Sequence, residues 1–482
     1  MSDPKTFQKL RPAGRLEKFS TARHALGIYN NVSSSAVYST SKPGPKSIET
    51  LMFRTLAAVI AQHPSLTAIP VDEDKESTYF VRLPKVDLKD AVIFLDREHD
   101  FDETGGACDE ELDNVVERYH NHDQKDRYGE IPFWKLIILR EPKNNSRFAA
   151  AFIFHHAVGD GMSGLAFHRT FLTALQGVEA SDSQDENFCT VITPPDMPMI
   201  PTLETLHPLP LSLFFLFKAI IAEFVYGPPK DHWNAEPISL DPDKRRRRFR
   251  SISLSSDLTQ KLVAASRAHS TSVTGALVAC FADSLFANLE PEKSAALLVD
   301  GAVSLRRFLP SNVINEDSMG CWVSRFEHKH LRTSTTVDAK SGGSPFPWEE
   351  AKAVKDSIDA ELAKNGRDAV TGLLRWAGNM NQFFLKKNGK TRGNSFELSN
   401  VGVFKAHPST KVNGTDHEDS GWRIGRMLFS QSADLTGPPV HVTVVTGGDG
   451  CLSIGFSWLA MNFEDAWFEK VLKDFRARLD GI

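Results

Sequence analysis

The sequence has few cysteines and no pattern among them. Cys108, Cys189, Cys280, Cys321 and Cys451 are odd in number and widely spaced, with no CxxC pair. That excludes a disulfide framework and a thiolate zinc site, and a reducing compartment fits best. A basic excess is missing too: 56 Lys and Arg against 61 Asp and Glu leave a net charge of -5, which argues against a nucleic-acid partner. The opening MSDPKTFQKLRPAGRLEKFS lacks an apolar core, so no secretory signal is expected and a cytoplasmic location follows. No apolar run reaches the ~20 residues of a membrane span. The longest, at 209–226, is broken by Pro210, Lys218 and Glu223. It is expected to form a buried or surface-docking helix, with peripheral membrane contact as its other use.

What is present is ordinary globular material in quantity. Hydrophobic residues make up 41% and charged residues 24% of 482 positions, a length beyond the size at which one core keeps growing, so two lobes are expected. Helical spacing of apolar residues marks 47–62, 109–120, 272–285 and 347–362, while short β-branched or aromatic runs mark strands at 78–83, 92–95, 131–139, 295–305, 422–432, 440–445 and 452–458. Residues 178–210 turn acidic and then proline-rich, the composition of a crossover linker. A basic run follows, Lys244, Arg245, Arg246, Arg247, Arg248 and Arg250. Its plain reading is a solvated edge that discourages strand pairing; its sharper one is an anchor for phosphates.

The chain is organised around residues 147–177, RFAAAFIFHHAVGDGMSGLAFHRTFLTALQG. Residues 148–154 are continuously apolar, as in a strand buried on both faces, and small flexible residues then lead into a helix expected to stop at Gly177. Were the strand to persist, alternation would send His155 and His156 to opposite faces and give the two imidazoles different tasks. Asp160 caps the helix or pairs with an arginine, for which Arg306 is the candidate, and either role is structural. A serine hydrolase elbow is not met, because Gly161-Met162-Ser163-Gly164-Leu165 lacks the final glycine. A metal held by His155, His156 and Asp160 lacks a plausible set of converging ligands, so none is expected there.

His-His-Ala-Val-Gly-Asp-Gly resembles the HHxxxDG signature of chloramphenicol-acetyltransferase-like acyltransferases and condensation domains. The opening LRPAGRLEKFSTARHALGIYNN, the Ser304-Leu305-Arg306 segment and Ser399-Asn400-Val401-Gly402 are similar to segments of one branch, the fungal alcohol acetyltransferase family. Ser304 stands where that family commonly has asparagine. The resemblance implies an α/β (α+β) fold of two lobes, each a mixed sheet flanked by helices, with an active-site tunnel between them. The N-terminal lobe would cover 1–190, the linker with its apolar helix and basic run 191–250, and the C-terminal lobe 251–482.

The implied site comprises His156 as base, His155 and Gly161 in support, Asp160 with Arg306 as a structural pair, and Ser399, Asn400, Gly402, Tyr29 and His24 as candidates to bind substrate or coenzyme A. The implied activity is transfer of an acetyl group from acetyl-coenzyme A, a co-substrate and not a resident cofactor, to a small or secondary-metabolite alcohol by a monomer. Such a reaction needs a base for the hydroxyl proton and donors for the oxyanion, and no covalent enzyme intermediate. An amide-forming condensation enzyme and a non-catalytic ligand-binding protein are the alternatives on the same fold.

Overall fold

The computed structural model describes residues 3–41, 46–101, 108–141, 144–180, 188–221, 232–332, 345–407 and 421–482. The acidic stretch at 181–187, most of the loop at 333–347 and the end of the apolar stretch after 221 lie outside the described residues.

Two mixed sheets carry most of the structure. The first has five strands in the order Arg423–Gln431, Val32–Ser39, Asn144–Phe154, Trp134–Glu141, Val92–Asp96, antiparallel except for the last pair. Its central strand is Asn144–Phe154, and both of its faces are covered. Phe148, Ala150, Phe152 and Phe154 enter the core beneath the helix Gly161–Ala180, while Ala149, Ala151 and Ile153 pack with Leu112, Val116 and Phe249 on the other side. Phe152 stacks on Phe167 of that helix at 3.8 Å. Truncating either ring would cost roughly 3–5 kcal/mol. The helix runs three residues past Gly177: a Cβ there would meet nothing within 4 Å, and a glycine inside a helix costs only about 1 kcal/mol.

The second sheet has six strands, ordered Arg247–Leu254, Leu452–Leu459, Val440–Thr446, Phe396–Val403, Ala296–Ser304, Val323–Leu331. The helices Val273–Asn288, Trp348–Ala363 and Asp465–Asp480 bury their apolar faces in its core.

The division expected at 251 is not respected. Arg423–Gln431, from the C-terminal segment, completes the first sheet against Val32–Ser39, because Ile424, Met427 and Phe429 belong to the first core. It remains tied to the second sheet, where Thr443 Oγ1 donates to the Phe429 carbonyl at 2.6 Å. Likewise the second sheet begins at Arg247, inside the expected linker.

The basic run lies at a sheet edge as expected, with Lys244 and Arg246 exposed, but three of its arginines are spent on partners within the chain. Arg247 is buried and donates to the carbonyls of Ala433, Gly27 and Ile28. Arg248 pairs with Glu117 and Asp465, and Arg250 with Glu117 and Glu469. The charges fasten the edge strand of the second sheet to the helix Glu110–His120 of the first lobe.

Of the two placements expected for the apolar stretch, buried or docked at the surface, burial is not met. Its helix, Leu213–Ile221, is capped by Ser212, which Asp368 holds, and none of its residues is buried. Leu213, Phe214, Phe217 and Ile220 are all more than half exposed. Among the described residues no single helix is long and apolar enough to cross a membrane.

Candidate active site

The histidine strand ends at Phe154, so His155 and His156 sit at the start of the turn that follows. Both imidazoles leave the strand end, and they leave it in different directions.

His155 is buried. Its Nδ1 accepts the Ala157 N–H at 2.9 Å, and its Nε2 lies 3.3 Å from Glu73 Oε1. Glu73 also accepts from Nδ1 of His24 at 3.1 Å, while His24 Nε2 accepts the Gln124 N–H at 3.0 Å. The two rings meet edge to face, 4.4 Å apart. Each imidazole thus uses one nitrogen on a backbone N–H and has one hydrogen left on the side of the carboxylate, His24 in a hydrogen bond and His155 in a 3.3 Å contact off the line of one. Burial and the neighbouring His24 pull His155 down to about 4. Burial alone would raise Glu73, yet the two imidazoles hold it at about 2. Asp72, in the left-handed region at φ 56°, makes the turn immediately before Glu73.

His156 is half-buried and has no hydrogen bond or ion pair with a carboxylate among the described residues. Burial, with the Arg23 guanidinium, holds it below its ordinary value, while a hydrogen bond to its own carbonyl works the other way. Only Nδ1 can reach a residue's own carbonyl, so Nε2 keeps its lone pair. The ring of Tyr29 stands 5.6 Å away. Tyr29 in turn donates to Gln431, and Gln431 to Glu397.

The loop carrying His156 is locked from the second sheet. Asp160 is buried and takes a two-pronged contact from Arg306, 2.7 and 2.8 Å, together with the Trp322 N–H at 3.1 Å and the Ser163 N–H and hydroxyl. Arg306 also lies over the Trp322 ring. With every lone pair engaged by fixed donors, Asp160 has no proton to pass and serves to hold the loop. Gly161 opens the helix at a place where a Cβ would stand 2.8 Å from Val401 Cγ1 and 2.7 Å from Phe429 Cζ. Glycine there admits the two C-terminal strands to the turn. A cavity of about 360 Å³ reaches the same loop at Ala157 and Val158 and is walled by Met199, Pro201, Met319 and Trp322.

An imidazole with no carboxylate partner among the described residues thus stands on a turn clamped between two sheets. The profile of the alcohol acetyltransferase family matches residues 12–479. The chain belongs to the alcohol acetyltransferase family. A probable alcohol acetyltransferase of Aspergillus fumigatus, crmB, is 34% identical over 95% of this chain and 96% of its own. Another from Fusarium pseudograminearum, FCK4, is 22% identical over 98% and 95%. Among solved structures, a trichothecene 15-O-acetyltransferase from Fusarium sporotrichioides superposes with a TM-score of 0.72 over 97% of this chain and 94% of that one, at 12% identity. A condensation domain of the calcium-dependent antibiotic synthetase gives 0.61 over 98% and 97%, at 14% identity. The fold is that of the chloramphenicol-acetyltransferase-like acyltransferases.

Within this acyltransferase several site candidates have other duties. His24 is sealed and fully engaged with Glu73 and Gln124, so it is not open to a substrate. Asn400 lies on the opposite strand face from Ser399. Its amide donates to Thr274 Oγ1 and its oxygen accepts the Gly402 N–H. Gly402 is needed for its φ of +84°, since nothing would meet a Cβ there. Ser399 donates to Glu397 at 3.1 Å and joins the polar chain that leads to Tyr29. Cys321, 165 positions from His156 in sequence, lies 3.6 Å from its Nδ1, but burial pushes its thiol well up and its hydrogen goes to the His156 carbonyl. Sequence reasoning missed Glu73, Gln431 and Glu397. Glu73 sits in Val71-Asp72-Glu73-Asp74-Lys75-Glu76, a run with the composition of solvated loop, so no pattern could have singled it out.

Proposed function

We propose that this acyltransferase moves an acetyl group from acetyl-coenzyme A to a hydroxyl of a small or secondary-metabolite acceptor, with His156 as general base. The observation that carries the reading is the contrast at the turn: His155 is spent on Glu73, while His156 keeps an unpaired nitrogen on a loop that Asp160 and Arg306 immobilise. Nε2 takes the hydroxyl proton as the oxygen attacks the thioester carbonyl. The tetrahedral intermediate collapses by breaking the carbon–sulfur bond, and the proton returns to the departing thiolate. No acyl-enzyme is needed, and the raised Cys321 thiol does not favour one. A base already neutral at pH 7 suits an alcohol, whose own pKa is far above that of the imidazole.

A passage between the sheets, reaching the turn at Ala157 and Val158, would align the two substrates and limit hydrolysis. The exposed face of Leu213–Ile221 supports peripheral contact of a cytoplasmic enzyme with a membrane that holds lipophilic acceptors. Incubation with acetyl-coenzyme A and a panel of alcohols and amines, followed by thiol release and product mass, tests the reading. Acetate esters are expected. Amides alone, or acyl transfer only from carrier-bound donors, would replace it with the condensation chemistry.

A further inference from the structure

A second pair of histidines bridged by a glutamate stands on the edge of the second sheet, away from the turn. On the edge strand Val323–Leu331, alternate residues Ser324, Phe326, His328 and His330 face inward beneath the helix Trp348–Ala363. On that helix Glu350, Val354 and Ser357 form one stripe at i, i+4 and i+7. The sequence therefore places two imidazoles and a carboxylate on facing surfaces. Nε2 of His328 lies 3.0 Å and Nδ1 of His330 2.6 Å from the same oxygen, Glu350 Oε1. The two rings are 4.8 Å apart.

The hydrogen inventory differs from that around Glu73. His328 Nδ1 is 2.8 Å from Ser357 Oγ, and that hydroxyl donates to the Ala353 carbonyl one helical turn earlier. With the hydroxyl hydrogen on that carbonyl, His328 donates from Nδ1. Its Nε2 then presents a lone pair to a carboxylate oxygen, an arrangement that repels unless a cation lies between them. His330 is 1% exposed, and neither of its nitrogens makes a hydrogen bond among the described residues, because the close contact with Glu350 is off the line such a bond requires. Donors that share an ion at about 2 Å from each stand roughly 3 Å apart; here the two nitrogens lie 3.0 and 2.6 Å from the oxygen, and all three donors lie within 4.8 Å of one another.

We propose that His328 Nε2, His330 Nδ1 and Glu350 Oε1 hold a divalent transition-metal ion, zinc by donor type, that pins the helix Trp348–Ala363 to the sheet edge. Two imidazoles and a carboxylate are a zinc donor set. The contact of His328 with Ser357 is the outer hydrogen bond that fixes a ligating imidazole's tautomer. Glu350 is partly exposed, which leaves the remaining coordination position to water. The role is structural, since the site adjoins helix packing and not the His156 turn.

The test uses full-length protein made without a histidine tag. Elemental analysis is expected to find about one zinc per chain. Chelation should lower the melting temperature, and added zinc should restore it. His330→Ala and Glu350→Gln should lose the zinc and the response, while the exchange Glu73→Gln keeps both. Should His330→Ala fail to fold, His328→Ala, at a half-buried position, reads the same site. Acyl transfer per folded molecule should stay within about twofold in Glu350→Gln, since the metal supplies packing and not chemistry. Protein that contains no zinc and shows no thermal response to it, or zinc that survives both His330→Ala and Glu350→Gln, overturns the proposal.

Discussion

Two carboxylate-bridged histidine pairs built from the same three side-chain types face opposite demands. In the pair of His24 and His155 around Glu73, each ring accepts a backbone N–H on its far side, so each has one hydrogen directed to the side of the carboxylate. In the pair of His328 and His330 around Glu350, the far side of His328 faces a hydroxyl and not a backbone N–H, and this is the trio proposed to take a cation. What the outer nitrogen touches therefore decides whether such a trio is scaffold or ligand set. At the first site the cluster has a further consequence. It fixes His155, while the adjacent His156 leaves the strand end with no carboxylate of its own among the described residues.

The comparison can be broken or sharpened by substitution. The largest effect is expected from His156→Ala, which should lower the rate of acetyl transfer roughly 10²–10⁴-fold with the melting temperature little changed. His155→Ala should mainly lower the melting temperature. Next comes the clamp. Arg306→Ala leaves Asp160 buried and uncompensated, and should cost about 3–5 kcal/mol in chemical unfolding. Arg306→Lys keeps the charge without the fork and should recover only part of that. Glu73→Gln keeps the shape but offers an amide N–H to one of two imidazole N–H groups. A loss of about 1–3 kcal/mol in unfolding free energy is expected, with a fall in the turnover number and little change in the Michaelis constants. Smallest is Tyr29→Phe, which removes the hydrogen bond to Gln431 and should cost about 0.5–1.5 kcal/mol, read as a few-fold loss of turnover.

Much of this was legible before any coordinates. The apolar run at 148–154 marked a strand covered on both faces, and Arg306 was the candidate partner for Asp160 through the resemblance of the segment that carries it. The resemblance in the turn and the opening segment pointed to the family. What stayed hidden depends on where distant segments meet. Arg423–Gln431 has the pattern of any half-buried strand, and nothing in it says which sheet it completes. Glu73 reads as loop because its inward direction comes from a single backbone conformation at Asp72. The basic run was read only in part because its partners, Glu117, Asp465 and Glu469, are 131 to 219 positions away in the chain. For the helix Leu213–Ile221 both burial and surface docking stayed open, because composition reports apolarity, whereas burial depends on whether another surface is there to receive it.

The most direct measurement is the pH dependence of acetyl transfer, as kcat/KM, in the native enzyme and in His156→Ala. Burial and Arg23 disfavour the imidazolium, so the native rate should hold constant through neutrality and fall on a single limb whose midpoint lies below 6.5. The residual rate of His156→Ala should lack that limb. An unchanged limb in the variant, or an unchanged rate, would contradict His156 as the base.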